Sequence, residues 1–310
     1  MMDTMYIVLA CDDSYAQHLA VAAASILKHT ATPGAVCIYV LSDGISAERQ
    51  QAIRDTIQDL GGTVVILDVN SQSIQGFVSG HLSKAAYLRL QIPELLPENI
   101  EKAIYLDTDV VVLDDIAKLW NIDLAGKPIG AVCDYGIMAS QRMQKQKQDT
   151  LGLPVGQGYF NSGMLVMDLR LWRQQHYCEQ VLTCISEHQF RHHDQDGLNK
   201  VFMDNWQEIP LPWNVIPPVF CFHFSVLKQR RFRYLAAAAV RKPAIFHWAG
   251  RYKPWEFPES GIFNESYYKY LHETAFRNAS MPQPGNDMKG KSVTRQLVRM
   301  KMAGFWAGLL

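Results

Sequence analysis

The sequence predicts an α/β fold built on a mostly parallel sheet. Apolar runs of strand length recur through the first 110 residues, and segments with helical spacing separate them. Strands joined through helices pair in parallel and lie covered on both faces, so each reads as a near-continuous apolar run. The balance of 48% hydrophobic and 19% charged residues supplies enough apolar surface for such a core.

Taken in order, "MYIVLA" (5–10) reads as the first buried strand, and 14–30 as a helix of small apolar residues. "AVCIYVLSD" (35–43) is the second strand. A helix over 46–60 follows, with Ser46 as N-cap and Gly61-Gly62 as its stop. "TVVILDV" (63–69) and "IEKAIYLDTD" (100–109) continue the pattern, and "IGAVCD" (129–134) and "GMLVMDL" (163–169) add strands in the second half. Residues 170–189 read as one helix, with Trp172, Cys178, Val181, Leu182 and Ile185 near one face. The Gln-, Lys- and Gly-rich stretch 136–158 reads as a mobile surface loop or short helix. Three parts are expected: a catalytic domain over 1–275, a Pro/Gly linker over 276–290 and a tail over 291–310.

Composition excludes several classes. Thirty basic and thirty acidic residues give no basic excess, which argues against nucleic acid as a partner. Six scattered cysteines without a Cys-x-x-Cys pair suit a reducing compartment. The N-terminus has no basic leader and its apolar run breaks at Asp12, so it reads as a strand. With no run of about 20 apolar residues to span a bilayer, the expected location is the cytoplasm. Neither a Gly-x-Gly-x-x-Gly after the first strand, a P-loop nor a Gly-x-Ser-x-Gly elbow is found.

Chance alone supplies an Asp-x-Asp pair in a chain with 19 aspartates, so position matters more than the pair. Asp107 and Asp109 of "IYLDTDVVVL" fall where a strand should end, the edge at which open α/β sheets bind ligands. Side chains at i and i+2 share a strand face and so could share one hard divalent cation. The alternative is two acids facing solvent. Asp12 and Asp13 stand at the end of the first strand. Arg89 lies inside an apolar helix, as an ion-pair partner or an anion ligand. "FHWAGRYKPW" sets His247 and Lys253 either side of a glycine-containing turn, where His247 is a ligand or a satisfied core histidine. A second acidic cluster, "RHHDQD" (191–196), offers its own potential metal ligands.

In this order these stretches resemble the glycosyltransferase family 8 enzymes, which include bacterial lipooligosaccharide α-galactosyltransferases and lipopolysaccharide glucosyltransferases. The resemblance runs from residue 5 to about 275 through "ACDDSY", "YLRL", "YLDTDV", "FNSG", "DQD" and "HWAGRYKPW". It implies a GT-A fold that moves a hexose from UDP-galactose or UDP-glucose, with Mn²⁺ (or Mg²⁺) as cofactor. By that similarity Asp107, Asp109 and His247 ligate the ion and Lys253 adds charge on the diphosphate. Ala10, Asp12 and Tyr15 match the uridine-contacting start, and Arg89, Thr108 and Gly250 lie along the donor. Asp134, Asn161, Ser162, Asp194 and Gln195 match positions around the transferred sugar, and Asp196 is expected to cap the helix that follows.

The resemblance also implies retention of configuration. Gln195, an amide, is a poor nucleophile, which favours front-face substitution over double displacement through Asp194. The implied acceptor is a cell-envelope glycan or glycolipid such as lipopolysaccharide core, with a glycoprotein acceptor or a catalytically silent UDP-sugar binder as alternatives. The tail "KGKSVTRQLVRMKMAGFWAGLL" sets Lys291, Arg295 and Arg299 against Val, Leu, Phe and Trp. That pattern suits peripheral contact with the inner face of the cytoplasmic membrane, or else a last helix docked on the catalytic domain.

Overall fold

The computed structural model describes residues 4–69, 87–188, 190–220, 230–250, 253–256 and 263–279. The tail 291–310, the linker beyond 279 and the start of the "AYLRL" helix lie outside the described residues. Among those described, no helix is long and apolar enough to cross a membrane.

A seven-stranded sheet forms the centre. Its strands are β1 (Met5–Asp12), β2 (Val36–Asp43), β3 (Thr63–Asp68), β4 (Lys102–Leu106), β6 (Ile129–Cys133), β7 (Phe160–Asp168) and β8 (Gln207–Glu208). Their order is β3-β2-β1-β4-β7-β6-β8. The first four pair in parallel, as the β–α alternation requires. β7, however, runs antiparallel to both β4 and β6, so the expectation of parallel pairing fails there. A strand buried on both faces has the same apolar pattern read in either direction, and its polarity is set by the connection instead. The consequence is functional: the start of β7 lies at the sheet edge where β1 and β4 end. A two-stranded antiparallel sheet joins β5 (Val110–Val112) to β9 (Ile245–His247).

Both faces are sealed. Ile7, Leu9 and Cys11 of β1 pack into one core and Val8 and Ala10 into the other, and β4 and β7 alternate likewise. The helix α1 (Ala16–His29) carries fully buried alanines at 16, 20, 22, 23 and 24, so its backbone lies close against the sheet. Its Ser25 Oγ donates to Ala22 O (2.7 Å) and accepts from Val112 N (2.9 Å), pinning β5. In α2 (Ala47–Asp59) Ser46 occupies the N-cap position without a side-chain capping bond, and Gly61 at φ +83° ends the helix in a conformation that favours glycine.

Of the two readings of 136–158 the structure takes the helical one: a single helical turn (Tyr135–Met138) leads into α3 (Gln141–Leu151), capped by Ser140 and ended by Gly152 at φ +70°. Two further expectations need correction. The helix over 170–189 is two pieces, Leu169–Gln174 and α4 (Tyr177–Glu187), separated by His176 in the left-handed region (φ +53°). The first piece is held to the loop before β4, where Arg173 donates to Pro93 O (2.7 Å) and Ile100 O (2.9 Å), while α4 packs instead on α5 (His193–Phe202). The strand over 100–109 stops at Leu106; Asp107–Asp109 form the turn into β5. Two helices complete the fold, α6 (Arg230–Arg241) and α7 (Asn264–Leu271), the latter packed on α1.

Candidate active site

The carboxyl ends of β1 and β4 open on one cavity of about 220 Å³, and the start of β7 and the end of β9 lie against its acids. Ala10 and Asp12 from β1 line it, with Tyr15 from the turn that follows. Asp12 Oδ1 accepts from Tyr15 N (3.2 Å) and Ser14 Oγ (2.6 Å), which sets that turn. Arg89, Tyr105, Asp107, Thr108, Asp109 and Lys253 line it as well.

Asp107 and Asp109 do converge, though not by strand alternation: the β4–β5 turn folds both toward the last residue of β9. His247 Nε2 lies 3.2 Å from Asp109 Oδ1 and 3.7 Å from Asp107 Oδ2. The three donor atoms lie within 4.8 Å of one another, the one such trio among the described residues. Adjacent corners of an octahedron with bonds of about 2.1 Å are about 3.0 Å apart, so the spacing fits a hard divalent cation. Gly163 confirms how tightly the trio is cradled. A Cβ there would sit 2.3 Å from His247 Cε1 and 2.6 Å from Asp107 Oδ2, so only glycine leaves the donors in place.

Two cations balance the acids. Lys253 pairs with Asp109 and donates to Trp248 O (2.7 Å), reaching back across the turn at Gly250, whose φ of +99° suits glycine. Burial alone would raise the Asp109 carboxyl; His247 and Lys253 outweigh it and hold it below the usual carboxylate range. Arg89 is buried and reaches Asp107 Oδ1 (3.0 Å), Asp194 Oδ2 (3.4 Å) and Ser162 O (2.7 Å). Burial opposes its charge, but Asp107 above all keeps the guanidinium protonated. Tyr105 donates to Asp107 Oδ1 (2.6 Å) beneath the Arg89 plane.

Arg89 links this cavity to a buried polar group at the start of β7. Ser162 N and Asn161 Nδ2 both donate to Gln195 Oε1 (3.1 Å each). Gln195 Nε2 donates to Asp134 Oδ2 (3.1 Å) and Tyr159 OH (3.1 Å). Asp134 Oδ1 also caps the turn after β6 through Ile137 N (3.1 Å). Burial raises the Asp194 carboxyl above its ordinary range, with Arg89 pulling it back. Asp196 is held elsewhere: it accepts from Lys147 Nζ (2.5 Å), Tyr159 OH (2.6 Å) and His192 N (2.9 Å). The cluster 191–196 therefore divides between an ion pair with Arg89 and one with Lys147, and gathers no metal-ligand trio.

Sequence reasoning passed over Tyr105, Tyr159, Lys147 and Asn214. Tyr105 had a signal, lying two residues before Asp107 in "IYLDTD". Asn214 had none beyond being an amide between apolar residues. It is fully buried, accepts at Oδ1 across from His247 Nδ1 (3.0 Å) and donates to Asn161 Oδ1 (2.8 Å).

An α/β sheet of GT-A type, with acids, a histidine and two cations at its carboxyl edge, describes a sugar-transferring enzyme, and the comparisons agree. The sequence matches Glycosyl transferase family 8 over residues 6–258. General stress protein A of Bacillus subtilis (strain 168) is 31% identical over 289 residues, 90% of this chain and 97% of that protein. Glycosyltransferase GlyF of Streptococcus pneumoniae serotype 4 is 26% identical over 89% of this chain and 64% of its own length. Among solved structures, galactosyltransferase LgtC in complex with donor and acceptor sugar analogs superposes with a TM-score of 0.76 at 28% identity, covering 90% of this chain and 98% of that one. The chain belongs to glycosyltransferase family 8.

Proposed function

We propose that this glycosyltransferase moves a hexose, galactose or glucose, from a UDP-sugar to a cell-envelope glycan with retention of configuration. The observation that carries the reading is the meeting of Asp107, Asp109 and His247 beside Arg89 and Lys253. Asp107, Asp109 and His247 Nε2 would hold a divalent cation, Mn²⁺ or Mg²⁺, which when bound supplies positive charge against the departing diphosphate. Lys253 and Arg89 add fixed cations on the same side of the cavity. Tyr15, Ala10 and Asp12, which line the cavity, would stack on and pair with the uracil ring.

Front-face substitution fits the groups around the sugar position. Gln195 Oε1 already accepts two hydrogen bonds, which occupy both lone pairs. Asp194 is tied to Arg89 and Ser162, and burial favours its protonated form. Neither group presents an unencumbered nucleophile for a covalent adduct. The acceptor hydroxyl then attacks the face that UDP leaves, and its proton passes to a phosphate oxygen of the leaving group. Asp134, Asn161 and Gln195 orient the hexose. We place the enzyme in the cytoplasm at the inner membrane face, where a lipid-linked glycan would be presented.

The test is UDP release from a panel of UDP-sugars with and without Mn²⁺, for the native chain and Asp109→Asn. Slow Mn²⁺-dependent hydrolysis of one donor, lost in the variant by 10²-fold or more, is the expected result. Equal rates without metal, or an unaffected variant, would overturn the assignment. Trapping a glycosyl adduct on Asp194 would replace front-face substitution with double displacement.

A further inference from the structure

We propose that Asn214 is a positioning residue that keeps the hydrogen of His247 on Nδ1 and so turns the Nε2 lone pair toward Asp107 and Asp109. The inference rests on the reading of that trio as a metal centre. It follows from hydrogen-bond direction, which can be traced atom by atom from the backbone.

The chain of directions starts at groups that can only donate. Gly163 N–H points at Asn161 Oδ1 (3.0 Å), so that atom is the oxygen of the amide. Asn214 presents an amide atom to the same oxygen at 2.8 Å, and two oxygens would repel there, so it is Nδ2 that donates. The Asn214 oxygen therefore faces His247 Nδ1 at 3.0 Å. An amide oxygen accepts and never donates, so Nδ1 carries the hydrogen, whatever the state of Nε2. The Asn161 amide is fixed from its other end as well. Its Nδ2 donates to Gln195 Oε1, which Ser162 N–H identifies as oxygen. Flipping Asn214 would thus set oxygen against oxygen at Asn161, and flipping Asn161 would break bonds to Gly163 and Gln195 together.

The backbone holds Asn214 as firmly as its side chain. It ends the turn Leu211–Asn214, begun by Pro210 and Pro212. Val215 N donates to Ile245 O (2.9 Å) and His247 N donates to Val215 O (3.0 Å), locking the segment alongside β9. At 1% exposure the Asn214 amide is shut off from solvent, so an unmatched Oδ1 would be a buried polar atom without a partner. An imidazole that ligates a metal through one nitrogen needs its hydrogen on the other, and outer partners of this kind are worth about 10–100-fold in metal affinity. The same amide relay thus joins Gln195 at the sugar position to His247 at the metal position.

The experiment is ¹⁵N NMR of the His247 ring in the full chain, metal-free and with Mg²⁺, its signal assigned by loss in His247→Gln. Both states should show a protonated, pyrrole-type Nδ1. Mn²⁺ binding, read by electron paramagnetic resonance, should weaken 10–100-fold in Asn214→Leu with the circular dichroism unchanged. Asn214→Asp, which keeps an acceptor for Nδ1 but sets oxygen against Asn161 Oδ1, should lose less affinity than Asn214→Leu. A pyridine-type Nδ1 in the native chain overturns the proposal, as does an Asn214→Leu affinity within 3-fold of native. If Asn214→Leu fails to fold, the native spectrum alone decides. If the native chain shows the Nδ1 hydrogen but binds no Mn²⁺, the metal reading fails and the tautomer assignment stands.

Discussion

Gly163 sets the spacing of the Asp107–Asp109–His247 trio by having no side chain. An alanine there would drive its methyl into His247 Cε1 at 2.3 Å and Asp107 Oδ2 at 2.6 Å, both held by further partners. We expect Gly163→Ala to fold, because β7 keeps its ladder to β4 and β6, yet to lose Mn²⁺ affinity and UDP release by 10²-fold or more. Electron paramagnetic resonance of Mn²⁺ and turnover of one UDP-sugar check the two halves separately. At this scale the acids and His247 were legible because their motifs lie in order along the chain. The reason Asp107 and Asp109 meet was not. The strand stops one residue before the first acid, so a turn, and not alternation, brings them together. Asn214 was invisible because a buried amide acquires meaning only from the atoms opposite it.

At the scale of elements, the Gln-, Lys- and Gly-rich composition of 136–158 left loop and short helix both open, because α3 buries little apolar surface. A polar contact adds to its caps and to buried Leu151: Lys147, 4% exposed, reaches across Tyr159 to Asp196 on α5. Removing one member of a buried pair strands the other, so Lys147→Met should destabilise by about 3 kcal/mol in urea unfolding. The Lys147→Met/Asp196→Asn double variant should lose less than the sum of the single ones. The docking of α7 on α1 has a pH signature. His18 stacks on Trp255 (3.6 Å) and bonds Tyr267 OH (2.7 Å), and burial lowers its pKa from 6.5 to about 3. Between those values the unfolded chain binds the proton and the folded one refuses it. Stability is therefore full above pH 6.5 and falls as pH drops toward 3, at up to about 1.4 kcal/mol per pH unit. His18→Gln should show a shallower acid limb in denaturation measured from pH 7 to 4. The β–α repeats of the first hundred residues were readable because each buries a regular stripe. The left-handed break at His176 and the reversal of β7 were not, since neither changes the apolar pattern.

At the scale of the molecule, one sheet separates two cores and gathers the site from β1, β4, β7 and β9, so binding there ties distant parts of the chain together. Mn²⁺ and UDP, each at 100 times its dissociation constant, should each add about 2.7 kcal/mol of stability, an increase of several degrees in Tm by calorimetry. Asp109→Asn should forfeit the metal-dependent part of that shift.

The pairing of β5 with β9 also has a consequence in time. It brings Lys253 onto Asp109 across 144 residues of chain. At about 5–20 residues per second, a ribosome needs on the order of ten seconds to make that stretch. The acids at the β4–β5 turn thus leave the ribosome well before their histidine and lysine are made. A nascent chain halted before β9 would own a nearly finished sheet yet lack His247 and Lys253, so the trio that could hold a metal closes only once β9 is made.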